Sequence, residues 1–413
     1  AFMKIFNRKL KITSSALLTL CMVFVMTACA ENSSQSEKSQ PAEQTTVQPT
    51  TMSAEKINDR KLDKFISDMT LEEKVGQMFF VRCPDEDAVQ QVSKYNIGGY
   101  ILFGRDFDGK TKDEVVDDIH SYQNEADIPL LIGVDEEGGT VVRVSSNPNL
   151  RETPFFSPKD TYADGGWDAV KQDAEEKADL LLSLGINVNL APVCDMTSDE
   201  YGFMYDRSFS SDVDMENRYV RTVVETSKSK KLGTVLKHFP GYGNNSDTHT
   251  GIAYDDRDYS EFENTDFKPF YQGIESGADC ILVSHNIVNC MDSEYPASLS
   301  QNVHDILRNE FKFDGVIMTD DLIMDAITDF TGDEAAAVTA AKCGNDLLCC
   351  SSVDTQYPAV LEAVQNGEIP EAQVDTSVKR ILKWKQNLGI FNIDTYQKKV
   401  KSTEPMDTVG SEE

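Results

Sequence analysis

Eight short apolar runs recur along this chain, and longer amphipathic stretches separate them. The runs cover residues 76–81, 99–103, 130–134, 187–191, 234–238, 280–284, 315–319 and 346–350. Helical periodicity marks 112–126, 167–184, 213–230, 266–276 and 302–310 between them. Thr70, with Glu73 three residues later, forms a capping box that starts the first helix of the body. Eight strands, each followed by a helix, predict an α/β fold: a single (β/α)8 barrel of the TIM type, with no second α/β domain. An open doubly wound sheet is the competing architecture. It would need a glycine-rich phosphate loop after an early strand, and neither G-x-G-x-x-G nor a P-loop is present.

In such a barrel the chemistry gathers at the C-terminal ends of the strands. The unusual polar residues of this chain fall there. Asp135 ends the third run, Asp195 follows the fourth, Lys237-His238 end the fifth, His285 ends the sixth, and Asp320-Asp321 end the seventh. Chance would have scattered them among helices and loops.

The ends of the chain have a different character. Lys4, Arg8, Lys9 and Lys11 precede a mostly apolar stretch, 12–26, and then Thr27-Ala28-Cys29. This reads as a secretory signal over residues 1–28. A small residue before Cys29 predicts a lipidated cysteine, and hence an exported protein anchored to the cell membrane. A membrane-spanning helix needs about 20 apolar residues, more than this stretch supplies. Residues 29–55 are rich in Ser, Thr, Gln, Glu and Pro and predict a flexible tether, and 396–413 a disordered tail. The catalytic body is expected over 56–395, a length that suits one large domain.

The chain carries 39 basic and 70 acidic residues, a net charge of −31. Removing residues 1–28 takes away four basic and no acidic residues, which makes the charge −35. That balance argues against nucleic acid as a partner, and leaves the lipid as the one expected link to a membrane. Nine cysteines are present. The seven beyond Cys29 are scattered in apolar runs and read as buried thiols, although an exported protein could also pair some of them. No paired Cys or His spacing predicts a metal, and no motif predicts a cofactor.

Taken singly, the polar residues keep alternatives open. A carboxylate such as Asp320 at a barrel mouth can act as a nucleophile, cap the next helix or bind a metal, and capping is the commonest role. Asp247-Thr248-His249 lies on a Gly/Asn/Ser-rich stretch. A carboxylate two residues from an imidazole can orient it and favour its charged form, giving a general acid or base, but a lone Asp-x-His is also an ordinary surface feature. Lys237-His238 are hard to place at the end of a core strand unless they face a polar pocket, where sugar hydroxyls would employ both.

The order of several short motifs resembles glycoside hydrolase family 3, in particular bacterial β-N-acetylglucosaminidases with a His–Asp dyad. The matching pieces are Leu71-Glu72-Glu73-Lys74-Val75-Gly76-Gln77-Met78, Gly98-Gly99-Tyr100-Ile101-Leu102-Phe103, Asp135-Glu136-Glu137-Gly138-Gly139, Ala191-Pro192-Val193-Cys194-Asp195, Arg207-Ser208-Phe209, Lys237 to Gly243, Asp247-Thr248-His249 and Thr319-Asp320-Asp321-Leu322. The resemblance implies a retaining exo-hydrolase that releases terminal N-acetylglucosamine from cell-wall fragments or glycans. It implies Asp320 as nucleophile, His249 as acid and then base, and Asp247 as the partner of His249. Asp135, Arg143, Arg207, Lys237 and His238 would hold sugar hydroxyls. His285 is expected either to line the pocket or to be structural, Met324 to be packing, and His120 and His304 to lie on the surface. Tyr242 stands where many relatives have histidine, Thr140 where they often have arginine, and the stretch from Gly243 to Asp247 is one residue short. Phosphorolysis or β-glucosidase activity on the same scaffold, and a lipid-anchored sugar-binding protein, are the competing functions. The oligomeric state is left open.

Overall fold

The capping box at Thr70 forms: Thr70 Oγ1 accepts from the Glu73 N–H at 3.2 Å and Glu73 Oε2 from the Thr70 N–H at 2.9 Å. The helix it opens runs Leu71–Gln77, so the first strand starts later than the apolar run beginning at residue 76 predicts. Gly76 explains the shift. A Cβ there would lie 2.1 Å from the Tyr95 carbonyl oxygen, so the glycine serves close helix packing and not a strand. The computed structural model describes residues 53–245, 248, 251–331 and 333–398, except the side chains of 329, 333 and 334. The signal segment, Cys29, most of the tether, Asp247, His249 and the end of the tail lie outside the described residues.

The strands are β1 (Phe79–Arg82), β2 (Gly99–Leu102), β3 (Leu131–Val134), β4 (Val188–Asn189), β5 (Gly233–Phe239), β6 (Cys280–Val283), β7 (Val316–Thr319) and β8 (Leu348–Cys350). All pair in parallel, in the order β8-β1-β2-β3-β4-β5-β6-β7. A bridge between Met318 and Leu347 then joins β7 to β8. The result is the expected (β/α)8 barrel, and no second α/β domain occurs among the described residues. β4 is the shortest strand, but its flanks continue the pairing. The Asn187 side chain bonds the Leu130 carbonyl and the Ile132 N–H, and the Leu190 N–H donates to the Val134 carbonyl.

The barrel interior is filled by Phe80, Ile101, Leu131, Val188, Val235, Leu282, Met318 and neighbouring side chains. Crowding there is tight: a Cβ on Gly133 would lie 2.5 Å from the Phe80 ring. Ile381 and Trp384 of the helix Glu371–Asn387 join this cluster from below, near the start of β5, where a Cβ on Gly233 would meet the Trp384 indole nitrogen at 3.1 Å. That helix is the floor of the barrel, so the cavity can open only at the opposite end.

The helices follow the pattern read from sequence, with two differences. The helical stretch expected from residue 167 begins at Pro158 and runs Pro158–Ser183, broken by Gly165 and by Gly166 at φ +63°. The stretch expected over 302–310 is a short helix, Gln301–Asp305, followed by a wider π turn, Ile306–Glu310. His304, expected on the surface, is 1% exposed. Its Nδ1 is 2.7 Å from the Ser300 carbonyl, and burial lowers its pKa. His120 is exposed. The seven described cysteines are free thiols, with only Cys290 exposed. Among the described residues no helix is long and apolar enough to cross a membrane.

Candidate active site

Asp135 leaves the end of β3 and Lys237 sits near the end of β5. The Lys237 ammonium is 2.6 Å from Asp135 Oδ1 and 2.6 Å from Glu137 Oε1. Arg207 completes the group with a bidentate contact: Nε donates to Glu137 Oε2 at 3.0 Å and Nη2 to Oε1 at 2.8 Å. Glu137 and Lys237 are buried. Burial alone would neutralise Glu137, but Lys237 and then Arg207 outweigh it and hold its pKa well below the usual carboxylate range. Burial likewise opposes the charge on Lys237, and Asp135 and Glu137 outweigh it, raising its pKa. These groups therefore form an ionised, hydrogen-bonded cluster, the form in which charge survives burial.

His238 extends this network. Its Nε2 lies 3.3 Å from Arg207 Nη2, and its Nδ1 2.7 Å from Asp195 Oδ2. A guanidinium only donates, so Nε2 accepts and the ring proton sits on Nδ1, directed at Asp195. Asp195 is fully buried and also takes the backbone N–H groups of His238 and Tyr242, at 3.0 and 2.7 Å. It thus fixes the chain just past β5.

Asp320 follows β7. Its N–H donates to the Val283 carbonyl at 3.2 Å and its Oδ1 accepts from the Asp321 N–H at 2.9 Å. Asp321 lines the same cavity as Asp320 and takes the Ser351 hydroxyl at 2.5 Å, and burial raises its pKa. His285, of the two roles open to it, takes the structural one. It is fully buried, with Nδ1 2.7 Å from the Ser298 hydroxyl and Nε2 3.1 Å from the Asp321 carbonyl. It therefore supports the turn that carries Asp320.

One cavity of about 810 Å³ collects these groups. Asp135, Arg143, Arg207, Lys237, His238 and Asp320 all line it. Thr140 and Met324 line it too, so Met324 is a wall residue as well as packing. Arg143 is placed by Glu136. This fully buried carboxylate accepts the backbone N–H groups of Arg143 and Val144 at 2.9 and 2.7 Å, and so folds the loop after β3.

Asp247 and His249 are outside the described residues, so their distance from Asp320 is not part of this geometry. Thr248 between them is described and buried. Its hydroxyl and the Tyr242 hydroxyl are hydrogen-bonded, and its N–H reaches the same oxygen at 3.4 Å. Burial raises the pKa of Tyr242, keeping it a donor. The tyrosine that replaces the expected histidine thus fastens the middle of the Asp-x-His segment. Sequence reasoning assigned no role to Glu137 or Glu136 and no partner to Asp195. The Asp-Glu-Glu run after β3 was the available signal, but the run does not tell which of its members turn inward. Among the described residues no group of three or more His, Cys, Asp and Glu could hold a metal ion.

Known proteins resemble this chain in both sequence and fold. Residues 70–384 match the model of the Glycosyl hydrolase family 3 N terminal domain. A Beta-hexosaminidase of Hydrogenovibrio crunogenus is 31% identical over 286 residues, which cover 67% of this chain and 79% of the relative. Beta-hexosaminidase LpqI of Mycobacterium tuberculosis is 31% identical over 327 residues, covering 75% and 81%. The solved structure of a glycoside hydrolase family 3 beta-N-acetylglucosaminidase from a Paenibacillus species superposes with a TM-score of 0.73 at 29% identity, over 83% of this chain. The chain spans 66% of that enzyme's length. With the family domain matched from just before the first helix of the barrel to its floor, the chain belongs to glycosyl hydrolase family 3.

Proposed function

We propose that this protein is a retaining β-N-acetylglucosaminidase that removes terminal N-acetylglucosamine. The observation that carries the reading is one cavity holding Asp320 together with the Asp135–Lys237–Glu137–Arg207–His238 cluster, in a chain of this family whose relatives are named beta-hexosaminidases. A carboxylate beside a rigid array of charged donors suits a substrate made of hydroxyls. Lys237 spends two of its three N–H bonds on Asp135 and Glu137, and Asp135 spends one oxygen on Lys237. The remaining N–H and oxygen are the natural partners of sugar hydroxyls, and Arg143 and Arg207 add further donors.

Asp320 attacks the anomeric carbon, forming a bond from carboxylate oxygen to carbon as the bond to the leaving oxygen breaks. His249, held by Asp247, gives the leaving oxygen its proton. The imidazole then takes a proton from water, whose oxygen displaces Asp320 and releases the sugar with its configuration kept. Each proton-transfer role is worth about 10²–10⁴-fold in rate. We also place the protein outside the cytoplasm, with residues 1–28 removed and Cys29 carrying a lipid. The leader composition and the acceptor cysteine support this reading.

The test is hydrolysis of an aryl N-acetyl-β-glucosaminide. Asp320→Ala and His249→Ala should each lower kcat by at least about 10²-fold while keeping the wild-type circular dichroism spectrum. A slow fluorinated sugar should label the peptide containing Asp320. A label elsewhere overturns the nucleophile, and full activity of His249→Ala overturns the acid.

A further inference from the structure

Arg207 reaches the cavity from a stretch without regular structure. Residues 194–212, between β4 and the helix Val213–Lys230, contain neither strand nor helix. No ladder fixes the backbone that presents this guanidinium, so tertiary anchors must do it. On the N-terminal side a turn closes on Met204, whose carbonyl accepts the N–H groups of Arg207 and Ser208 at 3.1 and 2.8 Å. On the C-terminal side the anchor is Glu216, in the first turn of the helix. Its Oε2 accepts the Ser210 N–H at 2.9 Å. Beside it the Phe209 ring stacks on Tyr219 of the same helix, with 4.7 Å between centroids.

Glu216 is a costly anchor. It is fully buried, and among the described residues it enters no ion pair and its Oε1 has no hydrogen-bond partner. Acidic side chains are almost never buried in this way without a cation. Burial raises its pKa well above the usual carboxylate range, the Ser210 N–H and Lys159 oppose the rise, and Asp195 adds to it. The neutral acid is thereby favoured and the cost of a buried charge avoided, yet one oxygen stays desolvated without return. A polar group retained at such a cost points to a task.

Resting on the reading of the cavity as the sugar site, we propose that Glu216 is a positioning residue for the reaction. By holding the Ser210 N–H it fixes the loop after β4 on the course that keeps Arg207 between Glu137 and His238. Glu216 is not among the residues that line the cavity, so it acts through Arg207 and touches no sugar. The guanidinium is thus gripped at both ends: Glu137 holds its head by two hydrogen bonds, and Glu216 holds the backbone three residues past its base. Such a grip matters because a misplacement of about 1 Å, caused far from the chemistry, can cost about 10²-fold in rate.

The test is a double-mutant cycle on an aryl N-acetyl-β-glucosaminide, with kcat and KM read separately. Glu216→Leu removes the acceptor and keeps apolar bulk. It should lower kcat/KM about tenfold, the loss of one hydrogen bond to a buried N–H. The loss should fall chiefly on KM, because Arg207 would bind sugar hydroxyls in ground state and transition state alike. Glu216→Gln keeps an acceptor oxygen without a charge and should stay within about twofold of wild-type. With Arg207→Ala already in place, Glu216→Leu should change kcat/KM by no more than about twofold. Equal factors in the two backgrounds overturn the proposal, because Glu216 would then act through the fold at large or through Asp195 and His238. So does a folded Glu216→Leu with wild-type kcat/KM, a Glu216→Gln as impaired as Glu216→Leu, or an Arg207→Ala without effect. If Glu216→Leu does not fold, Glu216→Asp, whose carboxyl is one carbon short of Ser210, takes its place in the same cycle with the same outcomes. Each of these results leaves the glycosidase reading intact. Failure of the wild-type to hydrolyse the compound overturns that reading and this one with it.

Discussion

Glu137 is the residue on which the cation cluster depends, since both Lys237 and Arg207 bond to it and its side chain is 3% exposed. Replacing it by Gln keeps the shape and removes the charge. Breaking a buried pair of this kind costs about 3–5 kcal/mol, because the partners remain buried without compensation. Glu137→Gln should therefore lower the denaturant midpoint at pH 7 and impair sugar binding together. The pH dependence has a definite sign. The folded pKa of Glu137 is depressed below its ordinary value of 4.5, so its stabilisation is complete above that value. It is lost as pH falls toward the folded pKa, and the wild-type advantage over Glu137→Gln should shrink in unfolding curves taken below pH 4.5. A constant gap would mean that Glu137 carries no such linkage. Glu137 itself was not legible in the sequence as a site residue. Lys237 and His238 were, because two basic groups ending an apolar run cannot be buried cheaply without a polar pocket to receive them. A glutamate beside another glutamate carries no such signal, and only the fold shows that Glu136 ties the loop while Glu137 faces the cations.

At the scale of elements, Arg257 joins the two stems of the segment that carries the Asp-x-His pair. Its Nη2 donates to the Gly241 carbonyl at 3.1 Å, and it pairs with Asp255 at 2.8 Å and Asp266 at 3.0 Å. Asn245 donates to the same Asp255 carboxylate at 2.7 Å, so both stems converge on one acid. Asp255 lies in a two-residue ladder, Tyr254–Asp255 against Ile287–Val288, outside the barrel sheet. Gly243, at φ +55°, passes so close that a Cβ would lie 2.8 Å from the guanidinium. Arg257→Ala leaves two buried carboxylates without their cation and should lower stability by about 3–5 kcal/mol, read as a shift in the urea midpoint. An unshifted midpoint would show that the clamp is not holding the stems. This clamp was hidden from sequence reading because its partners are dispersed and none is periodic. The strands were legible for the opposite reason. Parallel strands buried on both faces read as continuous apolar runs. Their ends were less so: the run beginning at Gly76 merged the end of a capped helix with β1, and only packing against Tyr95 separates the two.

For the whole molecule, the charge and the leader make one expectation. If residues 1–28 are removed as proposed, a body at −35 gains little from anionic lipid, and the proposed lipid on Cys29 would carry membrane attachment. In cells making the full chain, the protein should fractionate with membranes, and Cys29→Ser should move it to the soluble exported fraction without changing its specific activity. Retention of the variant on membranes would point to a second attachment. The (β/α)8 topology was readable from the alternation of runs.

The floor formed by Ile381 and Trp384 closes the tube at one end. Under the proposed mechanism traffic runs through one doorway: the departing aglycone would clear the mouth before water reached the sugar ester that it leaves on Asp320. Released monosaccharide occupies the same vestibule as incoming substrate, so accumulation of product should slow the enzyme competitively and set the pace late in a digestion.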